Sequence, residues 1–100
     1  MSIFGVTGVR LNHRGRVESV VICRIDGASN AWIGEAYELA AHDIASLLYK
    51  GEEVHGIFVA DGLSVLGPKF RYVVYEGGQE GIELAEDLPG KRLQDLVLLV

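Results

Sequence analysis

Val17-Glu18-Ser19-Val20-Val21-Ile22-Cys23-Arg24-Ile25 is the stretch on which the fold turns. It alternates with a period of two: Val17, Ser19, Val21, Cys23 and Ile25 fall on one side, and Glu18, Val20, Ile22 and Arg24 on the other. Its middle is apolar on both sides. Such a strand is predicted to be central in a sheet, with a helix over one face and a loop or another subunit partly over the other. Upstream, residues 3–11 alternate more loosely. Between the two runs lies Asn12-His13-Arg14-Gly15, where Asn can open a type I turn and Gly can take the left-handed position after it. A hairpin is expected.

Downstream, residues 26–34 are rich in Gly, Ala, Ser and Asn and read as a loop, with Trp32 and Ile33 as its large apolar anchors. Ala36, Tyr37, Ala40, Ala41, Ile44, Leu47 and Leu48 then share one arc at 100° per residue, and Gly51 can supply a left-handed cap. This predicts the main helix at about residues 36–50. No Ser, Thr, Asp or Asn stands just before Glu35, so residues 32–39 can instead be extended, with the helix beginning near Ala40. Residues 54–60 and 69–76 read as two further strands. The link between them is either a loop that tucks Leu63, Val65 and Leu66 inward or a tight turn at Asp61-Gly62 with residues 63–66 as a strand. Residues 82–85 form a short strand, Leu88-Pro89-Gly90 breaks the chain, and residues 93–100 are a helical turn or an edge strand. The expected fold is one small α+β domain over residues 1–100, a mostly antiparallel sheet of four to six strands against one main helix.

The chain has 100 residues, 49% hydrophobic and 23% charged. That apolar content offsets ordering entropy and argues against disorder. Nine basic residues against fourteen acidic ones leave a net charge of -5, which repels phosphate backbones and anionic lipid, so neither nucleic acid nor a membrane is an expected partner. Arg10, Arg14, Arg16 and Arg24 cluster, but Glu18 and Asp26 dilute them and no aromatic residues interleave to stack bases. Cys23 is the sole cysteine, no signal-like segment opens the chain and no 18-residue apolar run occurs, so a cytoplasmic location is expected.

Glu38, His42 and Ser46 would line one helix stripe, carboxylate to imidazole to hydroxyl, opposite the apolar arc. An exposed helix face offers neither oxyanion donors nor exclusion of water, so the stripe reads as a solvated side. Cys23 reads as a small core hydrophobe. His13, His42 and His55 fall in three different elements without metal-ligand spacing, and Glu80, Glu83, Glu86 and Asp87 lack the pattern of a calcium loop. Gly5 with Gly8, and Gly77-Gly78, match no phosphate-cradling spacing and read as strand and turn punctuation. No catalytic residue, cofactor or metal is expected.

Leu96-Val97-Leu98-Leu99-Val100 is too short to span a bilayer and too apolar to stand in water, so it packs within one subunit or between two. With Leu39 and Tyr49 on the outer helix side, this tail makes Leu39, Tyr49, Leu96, Leu98 and Val100 the candidate interface residues. The expected function is a non-catalytic interaction module that forms a homodimer or binds another protein. The alternative is a small-molecule-binding domain or minor enzyme, with a pocket between helix and sheet lined by Trp32, Tyr37, Tyr72 and Tyr75.

Val9-Arg10 and Gly15-Arg16-Val17 in the hairpin, Ile44, Leu48 and Gly51 in the helix, and Leu93-Gln94-Asp95-Leu96 near the end form a layout that covers nearly the whole chain. It resembles a family of small bacterial proteins catalogued only as a domain of unknown function. The resemblance implies a small α+β domain and carries no activity or site residues. Val97 stands where that family has proline, which leaves open whether the tail stops there or continues as a strand.

Overall fold

In the computed structural model, which describes residues 2–26, 28–29 and 31–99, the alternating stretch is the inner strand of an antiparallel trio. Strands β1 (Ser2–Leu11), β2 (Val17–Asp26) and β3 (Ala31–Ala40) are followed by helix α1 (Ala41–Tyr49). Then come β4 (Glu53–Ala60), β5 (Leu63–Val74), β6 (Glu80–Leu84), a 3-10 turn (Leu93–Asp95) and the two-residue β7 (Val97–Leu98). The strand order is β3-β2-β1-β4-β5-β6, and the sheet curls as a half-barrel. Among the described residues four of the six strand pairings are antiparallel and a single α-helix packs on the sheet, which is the α+β arrangement expected.

The two parallel pairings both belong to β1. Its first half, Ile3 to Val6, pairs with Glu53 to Gly56 of β4, and its second half, Gly8 and Val9, pairs with Val97 and Leu98 of β7. The register between β1 and β2 slips at Thr7, between these two halves. An extra residue in one strand bends it and sharpens its twist, which lets one edge serve two successive partners.

Helix α1 covers the face that carries Val6 and Val9 of β1, Val20 and Ile22 of β2, and Val54 and Phe58 of β4. Ile44 and Ala45 are its fully enclosed contributions, and Phe70, Ile82 and Leu96 complete the same core. Cys23 is buried as expected but lies on the other face, opposite Gly5. There its Sγ is 3.7 Å from the Ile33 carbonyl oxygen and 3.8 Å from that of Gly34, so the β3 backbone covers it.

The helix is shorter than residues 36–50. Of the two readings of residues 32–39, the extended one holds: residues 31–40 form β3 and pair with β2 from Ala31 opposite Asp26 to Ala40 opposite Ser19, and the helix begins at Ala41. Trp32, Ile33 and Tyr37 are strong strand formers, no side chain caps an earlier helix start, and the backbone at Ala40 is still extended. Ladder bonds to β2 therefore prevail over the helical spacing of Ala36, Tyr37 and Ala40. The tight turn at Asp61-Gly62 is also realised: both residues have positive φ, 54° and 78°, the pattern of a two-residue type I′ hairpin.

Ile44→Ala is expected to lower unfolding free energy by about 2–5 kcal/mol in urea denaturation, since it empties a fully enclosed site. Val97→Ser, on an exposed side chain of β7, is expected to change it by less than about 0.5 kcal/mol. A small effect at Ile44 would remove the helix from the core.

Candidate functional site

On the face away from α1, two glycines of β1 leave gaps that neighbours fill. A Cβ on Gly5 would stand 2.8 Å from Ile25 Cδ1 and 2.8 Å from Ile57 Cγ1, so these isoleucines lean over β1 from either side. Ile25 stands opposite Trp32 of β3, and Ile57 opposite Leu66 of β5. The four side chains, with Ser64 and Val65, line a hollow of about 320 Å³. An apolar row therefore crosses five strands. A Cβ on Gly8 would stand 3.2 Å from the Val97 carbonyl oxygen and 3.6 Å from Leu99 Cδ2, so the second gap seats the C-terminal tail.

The two edges of the sheet differ in chemistry. Among the described residues β3 pairs only with β2, and Trp32, Ile33 and Tyr37 on it are 46%, 47% and 49% exposed. At the opposite edge β6 has only five residues, and Glu83 on it accepts from Arg71 Nη2 at 3.3 Å and from the Tyr75 hydroxyl at 3.1 Å. Beyond the hollow, Val59 and Leu63 at the β4–β5 hairpin are exposed. Their signal in the sequence was the apolar run beside a two-residue turn, which places side chains past the reach of α1.

The charged groups of the outer face are tied to one another. Ser19 Oγ donates to Glu38 Oε2 at 2.5 Å, and Arg10 Nε reaches the same oxygen at 3.2 Å. The serine bond first, and the arginine second, hold the Glu38 carboxyl below the usual glutamate range. Lys69 Nζ lies 2.7 Å from Glu53 Oε1 and lowers that carboxyl likewise. His55 Nδ1 is 3.1 Å from the Gly67 carbonyl oxygen. Because Glu38 belongs to β3, it forms no stripe with His42 and Ser46; the imidazole Nε2 is 3.4 Å from Asp43 Oδ1, and the serine hydroxyl donates to the His42 carbonyl.

A second concavity marks the open side of the half-barrel, where the β1–β2 turn faces β6 and the 3-10 turn. It measures about 410 Å³. The Arg16 guanidinium lies 3.8 Å from the centre of the Tyr75 ring, and Arg92 Nε donates to Asp87 Oδ1 at 2.6 Å. Burial, reinforced by the Glu83 carboxylate, pushes the Tyr75 phenol up.

The four aromatic residues expected to share a pocket between helix and sheet are dispersed. Core side chains such as Ile44, Val54, Phe58 and Phe70 occupy that space. Trp32 lines the outer hollow, and Tyr37 is exposed on β3. Tyr72 packs beside Tyr49, with ring centres 6.2 Å apart, and Tyr75 stands at the open side. Of the interface candidates, Tyr49 is 82% and Leu98 51% exposed, whereas Leu39 packs against the core and Leu96 is inside it. Val100 lies outside the described residues. The apolar tail is thus packed in part within its own chain, through Leu93, Leu96 and Leu99, while Val97 and Leu98 face outward.

Among the described residues no group of three His, Cys, Asp or Glu side chains is placed to hold a metal ion, and no helix is long and apolar enough to cross a membrane.

Ser19→Ala is expected to raise the Glu38 pKa toward the ordinary glutamate value, read by carboxyl carbon NMR titration. A carboxyl whose folded pKa is depressed contributes stability that is present above the unfolded value and lost as pH falls through the folded one. On acidification through that window, the unmodified protein should therefore lose more stability than Ser19→Ala. Identical Glu38 titrations in both proteins would show that the serine has no such effect. Comparison with known protein families, with curated proteins and with solved structures finds no match to the chain.

Proposed function

We propose that the chain is a self-associating interaction module in which two copies meet along β3. What carries this reading is the exposed edge of β3 itself. Ten residues of strand extend over about 33 Å, and the side without a partner strand presents backbone N–H and C=O groups suited to another strand. Edges that avoid pairing commonly carry Lys or Pro, and β3 has neither. It exposes apolar side chains on both faces instead, Trp32 on the side of Ile25 and Ile33 with Tyr37 on the other. Strand-to-strand pairing of two copies about a two-fold axis brings the same patch against itself and buries both sets at once.

Length favours β3 over β6 for this role, ten residues against five. Two copies of a chain with net charge -5 repel, so an edge with little free carboxylate is the better meeting place. Glu38 on β3 is already held by Ser19 and Arg10, which leaves Glu35 as the remaining acid of the strand. Gly34, with φ 75°, interrupts the strand beside the Cys23 position and limits how far a regular ladder can run. A modest affinity is the expected result. The resemblance to a small bacterial family adds no activity to this reading, and a homodimer is its partner of choice.

Sedimentation velocity from about 1 to about 100 µM is expected to show a reversible dimer of the 10.9 kDa chain. Ile33→Lys places a charge on the edge and should raise the dimer Kd at least about tenfold, equivalent to about 1.4 kcal/mol. Tyr49→Ala, on a different surface, should leave it unchanged. A monomer throughout that range would overturn the proposal, and sensitivity at Tyr49 but not Ile33 would move the contact to the helix.

A further inference from the structure

The geometry points to a ligand site at the open side of the half-barrel that takes a small monocarboxylate with an apolar body, its carboxylate on Arg16. The cleft of about 410 Å³ falls within the size range of small-molecule pockets. Its lining joins a cation to apolar surface from the partly buried Leu84 and Leu93, with Val17 and Ile82 of the core behind them.

Arg16 is held before any ligand arrives. Asn12 Oδ1 accepts the backbone N–H of Arg14 at 2.9 Å and that of Arg16 at 3.1 Å, and the Asn12 N–H donates to the Arg16 carbonyl at 2.9 Å. The backbone is therefore fixed by the turn, and the guanidinium by the Tyr75 ring beneath it. That ring is itself anchored through its hydroxyl to Glu83, which Arg71 also engages. A cation whose position is already set loses little freedom on binding.

Charge accounting selects the ligand class. Among the described residues, Arg71 is paired with Glu83 and Arg92 with Asp87, whereas Arg16 has no carboxylate within ion-pair distance and meets only the face of a ring. One uncompensated guanidinium suits one negative charge, and its planar fork matches a carboxylate. A phosphate dianion would bring a second charge into a cleft already lined by Glu83, Glu86 and Asp87. The apolar lining calls for a hydrocarbon body rather than a bare ion. The site shares no residue with the β3 edge, so it stands or falls apart from dimer formation.

The test is a two-dimensional amide and arginine side-chain NMR titration with benzoate, benzamide and inorganic phosphate as probes, each to about 10 mM. Benzoate is expected to shift Arg16 Nε–H and the amides of Leu84 and Leu93 along saturable curves. Benzamide and phosphate should bind at least about tenfold more weakly. Arg16→Gln should abolish the benzoate response while the remaining spectrum keeps its dispersion. Absence of a saturable benzoate response, its survival in Arg16→Gln, or equal responses to phosphate or benzamide would each overturn the assignment. Should the variant unfold, the three probes on the unmodified protein still decide between a carboxylate seat and none.

Discussion

One edge of β1 holds two parallel partners in succession, and the rest of the molecule is arranged around that constraint. A straight strand offers one neighbour along one edge. The irregularity at Thr7 divides β1, so that β4 lies beside its first half and β7 beside its second. Glycine makes room at two points for this to work. At Gly5 a side chain would strike Ile25 and Ile57, and at Gly8 it would press on the Val97 carbonyl. Removing side chains from one face of the central strand lets its neighbours close across it, which replaces the lost contacts and excludes water.

That closure makes the face away from the helix a partial second core. Cys23, Ile25 and Ile57 are nearly as enclosed as the residues under α1. Trp32 and Leu66 stand at its margin, half exposed. Polar groups on this face are bonded among themselves, Glu38 with Ser19 and Arg10, and Glu53 with Lys69, so their charges are spent locally. Trp32, Ile33 and Tyr37 place exposed apolar side chains at the β3 end of the sheet. At the open side, Arg16 is the one of the cleft's three arginines without a carboxylate among the described residues. The two proposed sites thus arise from opposite shortfalls, one of strand partners and one of counter-charge.

The alternation of Val17 to Ile25 made β2 legible as an inner strand, because a strand whose middle is apolar on both faces is best covered on both. The hairpin before it was legible from Asn12 and Gly15, whose bonds close the turn as expected. Which face the helix would cover was not: both sides of β2 are apolar, and the irregularities in its pairing break strict alternation. The start of α1 was ambiguous for a related reason. Ala36, Tyr37 and Ala40 satisfy both a helical arc and an extended strand, and only pairing with β2, distant in sequence, favours one. The site residues were harder still. Gly5 and Gly8 look like punctuation until the strands that fill their gaps are in place, and Arg16 gains its meaning from Tyr75, which lies in a separate hairpin.

Because β7 borders β1, strands far apart along the chain must meet to complete the sheet. The strand that completes the edge of the second half of β1, and the Leu96 side chain that completes the core, are made only after five further strands and a helix. Contacts so distant along the chain form slowly, since a long loop must close before they reward it. A nascent chain therefore carries an open edge on the second half of β1 until those later strands are made, a period when such an edge can capture another chain. Stray pairing at that stage is best restrained by what is already beside β1, the early partner β2 and the bend at Thr7.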